Sequence, residues 1–418
     1  MSYTSTPVEG RRSVITGIGV VAPNGIGTDA WWTATRAGTS GIGPITRFDP
    51  AKYSTRLAGE IDGFNPDDWI ERRLQVQTDR WTHMALAGTQ MAFEDARFDP
   101  AEFDEWSTSA ITASSSGGNE FGQKEIQALW GKGPKFVGAY QSIAWFYAAT
   151  TGQISIKHGM KGPSGVVLAE GAGGLEALAH SRRTIRRGVE TAVSGGVEAP
   201  IGPYALTCQL GTGFLSTAQD PGAAYRPFDA AANGYVPGEG GAILLVESLE
   251  SAQQRKAPQI YGEIVGYGAT NDAHHWGRPA PDPTQFARAM SVALKNAGIG
   301  PADVDAVVAD AFGVPEIDAL EVEAIKAVFG EQAGKVPVIA PKSGVGRMYA
   351  GGASLDAAAA LLAMRDGALP PIVNLDEPAS GELDFVSGAE RSEELSTILV
   401  NARGFGGFNS ALVLRRMS

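Results

Sequence analysis

The chain of 418 residues contains a single cysteine, Cys208. One cysteine cannot build an intramolecular disulfide framework or a cysteine-based zinc site, and it fits a reducing compartment. Basic residues are also scarce, because 34 Lys and Arg face 46 Asp and Glu and leave a net charge of −12. Binding to nucleic acid requires basic surface that displaces counterions, so the composition disfavours a nucleic-acid partner.

Long apolar runs are missing as well, since none approaches the roughly 20 residues of a membrane-spanning helix. The segment from Met1 to Arg12 is polar and lacks the apolar core of a signal peptide. We therefore expect no membrane partner and a cytoplasmic location. Charged residues make up only 19% of the chain, against 43% hydrophobic residues and 54 glycines. That composition is typical of a large buried core with many tight turns, in two to three domain-sized units.

Short apolar strands alternate with helices along the chain. The pattern predicts strands at 12–21, 107–114, 166–169 and 191–197, and helices at 30–37, 79–96 and 172–187. The second half repeats this plan, with strands at 260–268, within 302–311 and at 337–340, and a helix that opens at 351–357. The repetition predicts an α/β fold of duplicated β/α halves, residues 11–255 and 256–415, whose sheets are buried by helices.

Five sequence blocks carry a family resemblance. They are 166–177, 309–318 with Glu321, 342–352, Arg226-Pro227-Phe228-Asp229 with 233–240, and Gly404-Phe405-Gly406-Gly407. In their order along the chain, these blocks resemble the β-ketoacyl synthases over about residues 11–415. Segments 144–148, 151–156 with 158–160, and 169–170 with 172–175 resemble, more narrowly, the chain length factors (ketosynthase β subunits) of type II polyketide synthases. The resemblance implies the thiolase fold, with the two halves in a five-layered αβαβα arrangement.

The resemblance also locates the catalytic positions. Active β-ketoacyl synthases hold a cysteine and two histidines where this chain holds Gly171, Asp310 and Arg347. Condensation needs a thiolate and donors that stabilise an enolate oxygen. Glycine offers no nucleophile, ionised aspartate only accepts hydrogen bonds, and arginine cannot cycle protons. We therefore expect no covalent condensing chemistry, and a salt bridge between Asp310 and Arg347 is one way to fill the pocket.

Three further residues are expected to line this pocket: Glu170, Lys342 and Phe405. Glu170 could serve as a substitute acid, or it could bond locally or pair with an arginine, as buried carboxylates more often do. Chain length factors usually carry glutamine at the position of Gly171, which is associated with malonyl decarboxylation. The glycine therefore weakens any decarboxylase role, and we expect no cofactor.

The remaining candidate ligands and nucleophiles favour structural roles. His274 and His275 stand next to Asp272, but adjacent side chains of an extended segment point to opposite faces, so we expect a loop and no metal site. Cys208 lies in an apolar stretch, where a lone cysteine usually fills the core.

The resemblance implies a heterodimer with a catalytic ketosynthase α subunit and an acyl carrier protein that carries the malonyl and polyketide chains. In chain length factors, bulky side chains at the dimer interface limit chain growth, and the matching positions are Asn119, Gly122 and Ile126. Smaller side chains there predict a longer tunnel, unless neighbouring residues refill the space.

The leading hypothesis is a noncatalytic, chain-length-determining subunit of such a heterodimer. An autonomous acyltransferase or condensing enzyme with an unrecognised nucleophile is the alternative. A nicotinamide oxidoreductase is disfavoured, because the segment 17–22 after the first strand lacks the third glycine of the dinucleotide-binding pattern.

Overall fold

A computed structural model describes residues 10–417 of the chain. The segment Met1–Glu9, on which most of the expectation about a signal peptide depends, lies outside the described residues, as does Ser418. Within residues 10–417, no helix is both long enough and apolar enough to cross a membrane.

The strands run from ten-residue core strands to two-residue bridges. They are β1 Ser13–Ala22, β2 Gly25–Ile26, β3 Gly43–Pro44, β4 Leu57–Ala58, β5 Thr108–Ala113, β6 Gly165–Val167, β7 Thr191–Glu198, β8 Gly240–Ser248, β9 Gly262–Asn271, β10 Ala306–Val308, β11 Pro337–Ile339, β12 Ala368–Leu369, β13 Asp384–Phe385, β14 Arg391–Ser392, β15 Thr397–Gly404 and β16 Phe408–Arg415.

The α-helices alternate with these strands. They are α1 Thr28–Arg36, α2 Arg72–Gln75, α3 Arg80–Ala96, α4 Asn119–Lys132, α5 Gln141–Ala144, α6 Ala149–His158, α7 Gly173–Arg186, α8 Pro203–Leu210, α9 Pro221–Ala224, α10 Leu249–Gln254, α11 Thr284–Ala297, α12 Pro315–Phe329 and α13 Ala350–Asp366.

The longer strands form two sets with the same order. The first set runs β6-β5-β7-β8-β1 and the second runs β11-β10-β15-β16-β9. In each set the first three strands are parallel, and the fourth is antiparallel to both of its neighbours. The sets join where β1 pairs with β9 through Val14 and Glu263. The shared order and directions show the duplication that the sequence predicted.

Helices α7 and α13 pack against each other and against both sheets, so they form a central layer. Helices α3 and α6 cover the outer face of the first sheet, and α11 and α12 share one apolar cluster with the outer face of the second. The α13 segment Ala350–Met364 is buried at every position, as expected for a helix that is apolar on all sides. The five layers αβαβα of the thiolase fold are therefore confirmed.

Glycines let the outer helices approach the first strand of each half. A Cβ at Gly19 would lie 1.9 Å from the Gly88 carbonyl oxygen in α3, and a Cβ at Gly268 would lie 2.1 Å from the Ala289 carbonyl oxygen in α11. The G-x-G pattern of β1 thus serves close packing of a helix on a strand. The same device in β9 is a local trace of the duplication.

Candidate functional site

The candidate site lies where several parallel strands end. Gly171 follows β6, Asp310 follows β10, Arg347 follows β11 and Phe405 follows β15. The carboxyl ends of parallel strands meet at one edge of a sheet, which is where α/β folds usually place their functional loops. The duplicated halves thereby bring together residues that are up to 234 positions apart in the sequence.

The structure brings the three degenerate positions into one cluster. The Arg347 guanidinium Nη1 lies 3.4 Å from Asp310 Oδ1, so these residues form an ion pair. Arg347 Nη2 lies 3.2 Å from the point where a Cβ at Gly171 would stand. Charged side chains therefore fill the volume that a catalytic centre would need to keep open.

Asp310 is the centre of a buried charge network. Besides Arg347, it lies 3.4 Å from the Arg403 Nε and 3.8 Å from the Lys342 Nζ. Burial alone would raise the pKa of the Asp310 carboxyl, but these three cations together outweigh burial and lower the pKa. The carboxylate is ionised in the folded protein and can only accept hydrogen bonds.

Arg347 is held from both its backbone and its side chain. The backbone N–H donates to the Val236 carbonyl oxygen at 2.9 Å, and the carbonyl oxygen accepts from the Gly238 N–H at 2.7 Å. The guanidinium stacks on the Phe312 ring at 4.0 Å from its centroid. Burial opposes the charge of Arg347, but Asp310 raises its pKa, so the side chain cannot act as a base.

Gly171 lacks room for a side chain as well as a nucleophile. A Cβ at this position would lie 2.3 Å from the backbone carbonyl oxygen of Arg403, a distance at which the backbone has to shift. The strand end at Arg403–Gly404 has closed over the position where the family resemblance implies a reactive side chain.

The expected pocket residues also lie in this cluster. Lys342 Nζ donates to the Asp310 carbonyl oxygen at 2.9 Å and pairs with the Asp356 carboxylate at 2.5 Å. Phe405 stacks on Phe214 with ring centroids 6.1 Å apart. Glu170 Oε2 accepts from the N–H of the neighbouring Gly171 at 2.6 Å and from the N–H of the distant Phe405 at 2.9 Å. Lys342 and Phe405 thus complete the wall of a filled site.

Three of the eight described non-glycine residues with positive φ lie within two residues of the degenerate positions. Glu170, Ala311 and Tyr349 adopt φ values of 48°, 50° and 47°, in the left-handed region that non-glycine residues rarely adopt. Each such residue costs about 1–3 kcal/mol and persists only where its surroundings enforce it. Strained backbone positions thus flank a site in which Gly171, Asp310 and Arg347 stand.

The tunnel candidates lie together on helix α4. Gly122 is the buried one, and its missing side chain is replaced by the indole of Trp145, whose Cδ1 lies 2.7 Å from the point where a Cβ would stand. Ile126 is 42% exposed. Asn119 lines a cavity of about 200 Å³ together with residues of α8. A neighbouring side chain thus fills the space beside Gly122, which is the outcome that opposes a longer tunnel at this point.

Three carboxylates that the sequence did not single out anchor α4. Asp79 accepts from the N–H of Phe121 at 2.6 Å and also caps α3. Glu198, at the end of β7, accepts from the N–H groups of Ser115 and Ser116, in the loop that leads into α4. Arg47 links Glu120 of α4 to the buried Glu239. The roles of Glu198 and Glu239 cannot be predicted from local sequence patterns, because their partners lie far away in the sequence.

The structure corrects the expectation for Cys208. This residue is exposed on α8 and is not core filler. The stretch 205–210 is apolar, but Ala205, Leu206 and Gln209 are the residues that turn inward. His274 and His275 lie exposed in the loop between β9 and α11, as predicted. Among the described residues, no group of three or more potential ligands could hold a metal ion.

Both halves match family models. The model of the β-ketoacyl synthase N-terminal domain matches residues 11–252, and that of the C-terminal domain matches residues 261–376. The chain is 52% identical over 406 residues to the tetracenomycin polyketide synthase ketoacyl synthase beta subunit of Streptomyces glaucescens, covering 96% of this chain and 98% of the relative. It is 48% identical over 407 residues to the actinorhodin polyketide putative beta-ketoacyl synthase 2 of Streptomyces coelicolor, covering 97% and 98%.

Solved structures agree over almost the full length. The ishigamide ketosynthase/chain length factor superposes with a TM-score of 0.91 at 29% identity, covering 98% of this chain and 100% of that one. A type II acyl-carrier protein in complex with its ketosynthase, bound to the hexaketide, gives a TM-score of 0.89 at 28% identity, covering 99% and 100%.

Proposed function

The chain belongs to the β-ketoacyl synthase family, among the ketosynthase β subunits (chain length factors) of type II polyketide synthases, and on that premise we propose a noncatalytic role. It completes a heterodimer with a catalytic ketosynthase α subunit and shapes the tunnel in which a poly-β-ketone chain grows on an acyl carrier protein. The observation that carries this proposal is the filled site, in which Arg403 crowds Gly171 and Asp310 pairs with Arg347.

The surface supports the proposed partner. Strand β6 ends the sheet and pairs with β5 alone among the described residues, so its other edge is free to meet a second chain. Most of the exposed large hydrophobic side chains lie between residues 126 and 168, and within this range the most exposed are Trp130 at 83% and Ile156 at 76%. Apolar surface of this kind, beside a free strand edge, is typical of an interface with another protein.

The proposed division of labour follows from the chemistry. The growing acyl chain needs a thiolate, and the catalytic subunit supplies it, so the carrier protein delivers its malonyl and polyketide groups there. We propose the two halves 11–255 and 256–415 as the units that build this scaffold, with the boundary between α10 and β9. A cytoplasmic location is part of the same proposal and fits the single cysteine.

The tunnel proposal rests on helix α4 and on Trp145. Because the indole occupies the space beside Gly122, Trp145 and Gly122 act as one pair, and the volume at this point depends on both. Trp145 is 41% exposed in this chain alone, so a larger residue at 122 would push its ring toward the proposed partner subunit. We expect Gly122→Phe to displace the indole and shorten the polyketide. A product of unchanged length from an assembled Gly122→Phe heterodimer would remove α4 from the tunnel wall.

A reconstitution assay tests the absence of catalysis. The isolated chain is incubated with radiolabelled malonyl carrier protein, alone and with the cysteine-bearing ketosynthase partner. We expect condensation only with the partner, and none when the partner's cysteine is replaced by alanine. Condensation by the isolated chain would support the autonomous enzyme instead. Cys208→Ser then distinguishes the exposed thiol from any other nucleophile. If the thiol is the nucleophile, this variant loses condensation; if another group is, condensation continues.

A further inference from the structure

Glu170 places one carboxylate oxygen between two backbone donors. Its Oε2 accepts from the Gly171 N–H at 2.6 Å and from the Phe405 N–H at 2.9 Å. These donors, named here the N–H pair, come from two separate elements: the turn that leads into α7, and the loop between β15 and β16. Their convergence on one oxygen is therefore a product of the tertiary fold and not of a single helix end.

The surroundings hold Glu170 in this arrangement. Its φ of 48° is strained for a side chain of this size, and such strain costs about 1–3 kcal/mol unless contacts enforce it. The loop of the second donor packs directly on it, since a Cβ at Gly404 would lie 3.0 Å from Glu170 Oε2. Burial raises the pKa of the Glu170 carboxyl, and the charge of Arg347 opposes that rise.

Two N–H groups that converge on one oxygen have a specific chemical use. They stabilise the negative oxygen that develops when a thioester carbonyl is attacked or becomes an enolate, and one such donor can be worth about 3–4 kcal/mol. Here a carboxylate supplies a negative oxygen at that point without any reaction. The donors that the N–H pair would otherwise offer to a substrate oxygen are therefore already taken by Glu170.

We propose that Glu170 is a built-in occupant of an oxyanion-binding site, which prevents this chain from polarising the carbonyl of an acyl thioester. The missing chemistry then has a second cause, independent of the residues at positions 171, 310 and 347. When Glu170 is shortened, the N–H pair binds a small oxyanion of the carboxylate or enolate class. The two converging N–H donors identify this site, and the assignment does not depend on the path of the tunnel.

Amide hydrogen exchange on the chain in complex with its ketosynthase partner tests this proposal. Residue-resolved exchange is measured at Gly171 and Phe405 in the wild type, in Glu170→Ala and in Glu170→Gln. Acetate is the probe, because it replaces the CH₂–COO⁻ group that Glu170→Ala removes, and chloride at equal ionic strength is the control. Glu176→Ala is the matched variant, since Glu176 lies on α7 and contacts Ser410 instead of the N–H pair.

We expect both amides to lose protection by at least about tenfold in Glu170→Ala, in line with a lost charge-assisted hydrogen bond of about 1.5–3 kcal/mol. Acetate restores the protection in this variant and changes nothing in the wild type. If Glu170→Ala does not fold, Glu170→Gln decides: a joint loss at Gly171 and Phe405 supports the proposal. Unchanged protection at Phe405 in the folded variants, or equal effects of acetate and chloride, overturns it. Neither amide exchange nor its response to acetate involves a polyketide product. Failure of this proposal can therefore be distinguished from failure of the tunnel proposal.

Discussion

Replacing Asp310 by Asn should destabilise the protein more than replacing Arg347 by Met. Asp310 is shared by three cations, and Lys342 and Arg403 keep second carboxylate partners in Asp356 and Glu321 when it is neutralised. Arg347 has no other carboxylate within ion-pair distance among the described residues. Asp310→Asn therefore leaves one buried guanidinium unpaired, which costs about 3–5 kcal/mol.

The reverse substitution is milder, because Asp310 then still faces two cations at 3.4 and 3.8 Å and the Arg403 N–H at 3.1 Å. We expect Arg347→Met to cost about 1.5–3 kcal/mol, the range for a hydrogen bond to a charged group. The double variant should cost less than the sum of the two, with a coupling of about 0.5–3 kcal/mol.

Urea unfolding of the reconstituted heterodimer at fixed concentration measures these costs, with tryptophan fluorescence and circular dichroism as independent probes. Because the folded-state pKa of Asp310 is lowered, its contribution is present above the unfolded carboxyl pKa of about 3.9 and is lost as the pH falls further. The gap between wild type and Asp310→Asn should therefore close under acid conditions. Equal costs for the two single variants would refute the network.

Three further outcomes follow from other contacts. Burial raises the pKa of Glu198 to about 8, so the folded state binds its proton more tightly, and wild-type stability should fall between about pH 5 and 8. Glu198→Gln should reduce this pH-dependent fall in the free energy of unfolding by up to ~1.4 kcal/mol per pH unit. Unfolding at several pH values measures the effect, and parallel stability curves for wild type and variant would contradict it. Asp79→Ala should lower the free energy of unfolding by about 0.5–2 kcal/mol per lost helix cap and raise the amide exchange rate at Phe121. Unchanged exchange at Phe121 would exclude Asp79 as the cap of α4. Gly171→Cys should destabilise the chain and form no acyl-enzyme by mass spectrometry, because the Arg403 carbonyl oxygen lies 2.3 Å from its Cβ; a stable, acylated variant would contradict this.

Local patterns carried much of the fold. The apolar run at 12–21 and the helical pattern at 79–96 correspond to β1 and α3, because each depends on neighbours within one element. The resemblance to ketosynthase β subunits and the α/β class are confirmed by relatives that match nearly the whole chain. Cys208 lies one helical turn after Tyr204 on α8, and both residues are exposed because they share the solvent-facing side of this helix.

Long-range contacts explain what the sequence did not predict about the site. Arg403 crowds Gly171 from 232 positions further along the chain, and Trp145 fills the space beside Gly122 from a separate segment. No local periodicity encodes either approach. The sequence predicts that Gly171 offers no nucleophile, and the folded chain shows in addition that the Arg403 carbonyl oxygen closes this position. The assignment of Asn119, Gly122 and Ile126 to a tunnel wall stays a prediction.

Product length from the reconstituted heterodimer tests the central claim most directly. The ketosynthase partner is kept constant while this chain is wild type, Trp145→Ala, or Trp145→Ala combined with Gly122→Phe, and the polyketides are measured by mass spectrometry. We predict longer chains when the indole is removed, and a return toward the wild-type length when phenylalanine at position 122 refills the space. Identical product lengths from all three assembled heterodimers would contradict the account.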